Sequence, residues 1–189
     1  MISLSKLIKK VNVVLCLGQQ ERLITNICFD SRKVKTNDLF IAIKGVSSNG
    51  HDFIQQAIDH GASVIICENQ PDNLINSVTY ITVKDTSYTL SIISSNLYDN
   101  PSSKIKLVGI TGTNGKTTIV NLLYQIFTRC GFKVGVISTI ENKIGDLTID
   151  STHTTPNPLQ INNLLSQMVT EQCSFCFMEV SSHAVVQKR

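Results

Sequence analysis

Apolar residues in the first hundred positions alternate between short continuous runs and runs of helical spacing. Three continuous runs have the length of buried strands: 39–43, 64–67 and 78–83. Asp52 can cap a helix between the first two runs, and Gly61 can end it. Amphipathic spacing also predicts a short helix at 4–8 and a longer one at about 86–97. This alternation predicts a small α/β unit.

A similar order follows the polar segment 99–103, where the Asn100-Pro101 step disfavours helix. We place a domain boundary there, between residues 1–100 and 101–189. The elements predicted beyond it are a strand at 105–110, a helix ending before Gly131, a strand at 134–138, a helix at 159–169 capped by Asn157, and a strand at 175–180. This order predicts a parallel sheet with helices on both faces.

Composition narrows the class of protein. The 189 residues are 42% hydrophobic and 16% charged, which excludes a disordered tail and favours a globular protein. A net charge of +3 without a basic run argues against nucleic-acid and membrane partners. The apolar stretch at 9–17 is short and broken by Asn12, so we expect folded core rather than a signal peptide, and a cytoplasmic protein.

Six cysteines occur, mostly within apolar runs, and we expect them to be reduced thiols. Cys173 and Cys176 have the spacing of a metal or redox motif. No second pair completes a zinc site, so we expect ordinary strand packing there.

The strongest chemical signal is a glycine-rich segment between a predicted strand and a predicted helix, Gly109-Ile-Thr-Gly-Thr-Asn-Gly-Lys-Thr-Thr118. Glycines let backbone N–H groups approach phosphate oxygens, and a helix N-terminus attracts anions. Lys116 would reach the β- and γ-phosphates and Thr117 would bind Mg²⁺. Ile110 stands where the common pattern has its first glycine, so a glycine-rich turn with a chance Lys-Thr is the alternative.

Several segments resemble one family. Gly112-Thr-Asn-Gly-Lys-Thr117 is similar to the phosphate loop of the Mur ligases and the related folylpolyglutamate synthetases, in which the displaced glycine is usual. Asp30-Ser31-Arg32, 38–42 and 50–53 resemble the uridine-nucleotide domain of the ligases that add the third residue and the terminal dipeptide to the muramyl peptide. Thr154-Thr155-Pro156, 179–183 and Gln187-x-Arg189 look more like the third-residue ligase.

The resemblance implies an α/β fold, with a small N-terminal uridine-nucleotide domain followed by the first part of a P-loop parallel-sheet ATPase domain. It implies an ATP-dependent amide ligase that adds meso-diaminopimelate or L-lysine to UDP-N-acetylmuramoyl-L-alanyl-D-glutamate through an acyl phosphate. ATP and Mg²⁺ would be the cofactors, the dipeptide precursor and the diamino acid the partners, and the protein a monomer.

Site residues follow from the same resemblance. ATP would bind at Gly112, Thr113, Asn114, Gly115, Lys116, Thr117 and Thr118. Catalysis would rest on Lys116, Glu179 and His183, with metals at Thr117, Glu179 and His183. The muramyl substrate would contact Ser31, Arg32, Ser47, Ser48, Thr154, Thr155, Ser182, Gln187 and Arg189.

The residues alone support some of these roles and leave alternatives open. Glu179 ends an apolar strand, where ligands of open α/β sheets bind, although a strand-end Glu can instead pair with a neighbouring cation. His183 alone is more often structural. Ser31 and Arg32 offer donors suited to a uracil carbonyl or a diphosphate, although Asp30-Ser31-Arg32 alone is more often a solvated turn.

Length limits the function that we expect of the chain. The family has three domains, whereas this sequence stops at Arg189, so we expect a fragment that does not complete the reaction alone. A non-catalytic nucleotide-binding module and the dipeptide-adding ligase remain alternatives. A P-loop switch or motor is disfavoured because no later Asp-rich strand is present.

Overall fold

The computed structural model describes residues 1–45, 48–151 and 154–188. The chain divides into two compact units, Met1–Leu97 and Tyr98–Arg189. The division falls three residues before the boundary that we placed after Asn100. Two of the expected substrate residues, Ser47 and Arg189, lie outside the described residues.

The first unit is a five-stranded sheet with the order β2-β7-β6-β5-β4, beside a two-stranded pair β1-β3. Its elements are β1 (Ile2–Ser3), α1 (Leu4–Leu7), β2 (Val13–Leu17), β3 (Leu23–Ile24), β4 (Ile27–Cys28), β5 (Asp38–Ile41), α2 (Ile54–Asp59), β6 (Ala62–Cys67), β7 (Thr79–Val83) and α3 (Thr86–Leu97). β4 to β7 are parallel, and β2 is antiparallel to β7. The three predicted strands and the predicted helices are present, whereas β1, β2, β3 and β4 were not expected as strands. The prediction that Asp52 caps the second helix is wrong, because Asp52 lies within a 3₁₀ helix, Gly50–Phe53, and α2 begins after Phe53 without a side-chain cap.

The burial of the strands explains why the hydrophobic pattern predicted some strands of this unit and missed others. β5 and β6 are buried at every position, which is why they read as continuous apolar runs. The expectation that 9–17 is folded core is wrong, because no residue of this segment is fully buried and Val14 and Leu15 are exposed. Both residues lie on β2, which is an edge strand of the sheet and pairs with β7 along one side.

The second unit contains a five-stranded sheet with the order β11-β10-β9-β12-β8. Its elements are β8 (Lys106–Ile110), α4 (Lys116–Arg129), β9 (Val134–Ile137), β10 (Glu141–Ile144), β11 (Leu147–Asp150), α5 (Pro158–Thr170), β12 (Phe175–Glu179) and α6 (Ser182–Val186). β9, β12 and β8 are parallel, as predicted. The sheet is nevertheless mixed, because β10 and β11 form an antiparallel hairpin that the sequence analysis missed.

The hairpin has a local cause. Ile144 pairs with Leu147, which leaves a two-residue turn with Gly145 at φ 58°. Glycine at the first turn position with positive φ matches the twist of antiparallel strands. The helices on either side of the sheet agree with the prediction, because α4 packs on one apolar cluster and α5 on another. Asn157 caps α5 through a capping box with Gln160.

All six cysteines are free thiols. Cys173 and Cys176 are buried, the latter within β12, as expected of strand packing. Burial raises the pKa of Cys176 far above its usual range and raises the pKa of Cys67 to about 11. Across the described parts of the chain, no helix is both long and apolar enough to cross a membrane.

Thiol labelling at neutral pH tests this arrangement. We expect N-ethylmaleimide to modify Cys130 first, because Cys130 is exposed at the end of α4 while Cys67 and Cys176 are buried and protonated. Peptide mass mapping after timed quenching measures the order. Early labelling of Cys176 in the folded protein would contradict the packing of β12.

Candidate functional site

The phosphate loop joins two elements of the second unit. β8 ends at Ile110 and α4 begins at Lys116, and residues 111–115 between them are exposed. Gly112 and Gly115 have φ values of 147° and 79°, which favour glycine. Gly115 provides no side-chain cap, so the first N–H groups of α4 remain available to an anion.

Lys116 lies over this loop. Its ammonium donates to the carbonyl oxygens of Gly112 at 2.6 Å and Thr113 at 3.3 Å. Thr117 follows as a half-buried residue, while Asn114 and Thr118 are exposed. The sequence-predicted ATP residues therefore form one continuous surface that combines backbone donors, an ammonium and hydroxyls.

Glu179 lies beside the start of this loop. The parallel register of β12 and β8 pairs Glu179 with Ile110, the last residue before the loop. Its side chain is buried, with 1% exposure for the residue, and Thr139 holds both carboxylate oxygens. The Thr139 N–H donates to Oε1 at 3.1 Å and the Thr139 hydroxyl to Oε2 at 3.0 Å. Among the ion pairs of the described residues, none involves Glu179.

Thr139 was missed by the sequence analysis. It lies two residues past the end of β9, and β9 is the other parallel neighbour of β12. The carboxyl ends of parallel neighbours meet at one edge of a sheet, so the strand order would have revealed the contact. The sequence pattern predicts the strands but not their order in the sheet, so it did not predict that Thr139 and Glu179 are neighbours.

The segment after β12 is tied down by Thr155. The buried Thr155 hydroxyl donates to the Glu179 carbonyl at 3.0 Å and accepts from the Ser181 N–H at 3.1 Å. The Ser181 hydroxyl in turn caps α6 by accepting from the Ala184 N–H. Thr155 thus contacts the chain itself, and half-buried Thr154 precedes it.

The remaining expected residues lie on α6 or just after it. Ser182 and His183 occupy its first turn and are exposed, and Gln187 is half-buried. Within the described residues, no group of three or more His, Cys, Asp or Glu side chains could hold a metal by itself. Mg²⁺, however, usually keeps several waters and binds through one or two carboxylates together with nucleotide phosphates. A Thr117 hydroxyl and a Glu179 carboxylate beside a phosphate loop fit that ion.

The first unit has a cavity of about 460 Å³. Its lining residues are Phe29, Asp30, Ser31, Arg32, Phe40, Ile43, Ser48, Gly50, Phe53 and Gln56. Three of the expected substrate residues, Ser31, Arg32 and Ser48, thus share one cavity. Phe29 and Phe53 were not expected there, and with 39% and 41% exposure they offer aromatic surface to a ligand.

Ser31 is held from two sides. The residue is 6% exposed, and its hydroxyl donates to Gln56 Oε1 at 2.7 Å. Its carbonyl oxygen lies 2.8 Å from His60 Nδ1, which must therefore donate. The hydroxyl proton thus points to Gln56, and the contact of Ser31 with a ligand stays a prediction.

Arg32 stands at the rim of the cavity. Its Nε and Nη2 atoms donate to the two carboxylate oxygens of Asp30, each at 2.9 Å, and this hydrogen bonding lowers the pKa of Asp30. The Arg32 side chain is 79% exposed, so the pair contributes little to stability. Its remaining N–H groups are available to an anion at the rim.

Gly50 shapes the loop that carries Ser48. Its N–H donates to the Ile43 carbonyl at 2.8 Å, and Lys44 and Asn49 pair as an isolated antiparallel bridge. A Cβ atom at Gly50 would lie 2.6 Å from the backbone N and O of Ile43. Only glycine permits this closure, which holds one wall of the cavity in place.

Models of one protein family match both units. Residues 23–100 match the catalytic domain of the Mur ligase family, and residues 110–189 match the Mur ligase middle domain. The chain is 50% identical over 189 residues to the UDP-N-acetylmuramoyl-L-alanyl-D-glutamate–2,6-diaminopimelate ligase of Cytophaga hutchinsonii. It is 46% identical over 188 residues to the ligase of the same name from Phocaeicola vulgatus. All of this chain matches, but it spans only 39% of each relative's length.

Solved structures show the same fold. A UDP-N-acetylmuramoyl-L-alanyl-D-glutamate–2,6-diaminopimelate ligase gives a TM-score of 0.74 at 23% identity, over 98% of this chain and 37% of that one. MurF from Acinetobacter baumannii gives a TM-score of 0.61 at 21% identity, over 95% of this chain and 36% of that one.

Removing the Thr139 hydroxyl tests the support of the buried carboxylate. Thr139→Val should lower the free energy of unfolding by about 1–3 kcal/mol, because one Glu179 oxygen loses its donor in a buried position. Urea unfolding measures the change. Thr148→Val, an exposed position on β11, is the matched control and should change stability by less than about 0.5 kcal/mol. Equal effects at both positions would contradict the role of Thr139.

Proposed function

This chain belongs to the Mur ligase family, and from that premise we propose that it carries the nucleotide sites of an ATP-dependent ligase acting on UDP-N-acetylmuramoyl-L-alanyl-D-glutamate. The observation that carries the proposal is the buried carboxylate of Glu179 beside a glycine-rich phosphate loop. The names of the relatives favour 2,6-diaminopimelate as the added diamino acid.

The reaction must activate a carboxylate. The D-glutamyl carboxylate is resonance-stabilised and does not react with an amine directly, so its oxygen attacks the γ-phosphorus of ATP and ADP leaves. The amine then attacks the carbonyl carbon of the acyl phosphate, loses a proton and expels inorganic phosphate. The first step brings two anions together, which makes positioning and charge stabilisation the main tasks of the protein.

Residues of the second unit suit those tasks. The loop N–H groups would hold the nucleotide phosphates, and Lys116 would exchange the carbonyls of Gly112 and Thr113 for β- and γ-phosphate oxygens. Thr117 and Glu179 would hold Mg²⁺, with His183 at a second metal. Bound Mg²⁺ neutralises phosphate charge. Thr139 orients the Glu179 carboxylate through its N–H and hydroxyl.

The cavity of the first unit suits a uridine diphosphate group. Phe29 and Phe53 would flank the base, Ser31 would hydrogen-bond it, and Arg32 with Ser48 would contact the diphosphate. Ser47 is assigned to the same diphosphate contact. The muramyl sugar and peptide are assigned to Thr154, Thr155, Ser182, Gln187 and Arg189.

We assign the ligase to the cytoplasm as a monomer without nucleic-acid or membrane partners. A net charge of +3 without a basic run supports the absence of a polyanionic partner.

Lys116→Ala should abolish measurable ATP binding while UDP-N-acetylmuramoyl-L-alanyl-D-glutamate binding remains within twofold of the parent. The reason is that a phosphate-loop ammonium contacts nucleotide phosphates alone. Isothermal titration of each ligand measures both affinities, with Lys104→Ala, an exposed lysine outside the loop, as the control. Loss of both ligands in a folded Lys116→Ala protein would contradict two separate sites.

Ser31→Ala should weaken binding of the UDP-muramyl dipeptide by about 1–3 kcal/mol, because the ligand loses a buried hydrogen-bond partner, and should leave ATP binding unchanged.

Arg32→Ala should weaken binding of the same ligand most at low salt. The attraction between an exposed guanidinium and the diphosphate is screened by added salt, so less of it is left to lose at high salt. Titration at two salt concentrations measures both effects, with the exposed Ser5→Ala as the control. Parent-like affinity in both variants would show that the cavity is not the uridine site.

A further inference from the structure

We propose that Gln56, acting together with Ser31, selects uracil over cytosine in the cavity of the first unit. The inference rests on the proposed uridine-nucleotide site and assigns a specificity-determining residue within it. Gln56 was not among the residues expected from the sequence. It lies on α2 and lines the cavity with Ser31.

The direction of one hydrogen bond carries the inference. The Ser31 hydroxyl donates its single proton to Gln56 Oε1 at 2.7 Å. Ser31 Oγ therefore faces a ligand with lone pairs only, as an acceptor. Oε1 of Gln56 accepts this proton, whereas no hydrogen bond of the described residues engages its amide nitrogen, which therefore has two protons to donate to a ligand in the cavity that Gln56 lines. The pair presents one acceptor and one donor next to each other.

The pair is positioned by the protein itself. Ser31 opens a one-turn 3₁₀ helix, Ser31–Lys33, whose start is capped by Asp30. His60, at the end of α2, donates to the Ser31 carbonyl at 2.8 Å, and Gln56 lies one helical turn earlier. Two side chains from the same helix thus fix both the backbone and the hydroxyl of Ser31 before any ligand binds.

Base chemistry then decides the preference. Uracil presents an N3–H donor beside carbonyl acceptors, which complements the Ser31 acceptor and the Gln56 donor. Cytosine presents an N3 acceptor, which places two acceptors together at Ser31, and where the Gln56 donor faces C4 the cytosine amino group also places two donors together. The rings of Phe29 and Phe53 bind either pyrimidine, because stacking tolerates any base. Discrimination must therefore come from the polar pair.

Competition by UDP and CDP against UDP-N-acetylmuramoyl-L-alanyl-D-glutamate tests this in the full chain. The parent should prefer UDP over CDP by tenfold or more. Gln56→Glu removes the donor but keeps an acceptor for Ser31, so the UDP preference should fall at least tenfold. Gln55→Glu makes the same charge change at the adjacent residue, which bonds Asp59 and is not among the cavity-lining residues, and should keep the parent preference. Because both nucleotides carry the same diphosphate, the ratio isolates the base.

A ligand change tests the same point without a variant. UDP methylated at N3 cannot donate to Ser31 and should bind the parent at least tenfold more weakly than UDP. An undiminished UDP preference in Gln56→Glu, or parent-like binding of the methylated nucleotide, would overturn the role of this pair while UDP binding still supports the uridine site. Failure of the parent to bind UDP or the UDP-muramyl dipeptide would overturn the proposed function itself.

Discussion

The parallel register between β12 and β8 is the constraint on which the chemistry of the second unit depends. It places Glu179 beside Ile110, so that a carboxylate and a phosphate loop emerge at one edge of the sheet. A shift by one residue would turn Glu179 to the other face. Burial at that edge requires a fixed set of hydrogen bonds, and Thr139 provides one to each carboxylate oxygen. Thr155 then fixes the turn that follows.

The first unit positions its polar groups by a related principle. A buried serine cannot leave its hydroxyl unpaired without cost, and Gln56 accepts that proton while His60 holds the adjacent carbonyl. Ser31 therefore offers a defined set of lone pairs rather than a rotating hydroxyl. In both units a neighbouring side chain fixes the group that is proposed to meet the ligand: Thr139 fixes the Glu179 carboxylate, and Gln56 and His60 fix Ser31.

Periodicity predicted most elements because the central strands are buried on both faces, and the capping box of Asn157 and Gln160 marks the start of α5. It missed β10, in which three of the four residues are polar, and β11, which is only four residues long and mostly exposed; the turn between them rests on Gly145. Local motifs located the phosphate loop and Ser31, since each depends on adjacent residues. Thr139, Phe29 and Gln56 could not be found this way, because their roles depend on strand order and on contacts between distant segments.

Two-ligand mapping by nuclear magnetic resonance tests the central claim, that two separate units bind two different nucleotides. Amide shifts of the ¹⁵N-labelled chain would be followed during addition of UDP-N-acetylmuramoyl-L-alanyl-D-glutamate and, separately, of ATP with Mg²⁺. The account predicts that the UDP ligand shifts amides around Phe29, Ser31 and Gln56, whereas ATP shifts those of the loop from Gly112 to Thr118 and of Thr139. Shifts of the phosphate loop by UDP alone, with residues 29–56 unaffected, would contradict it.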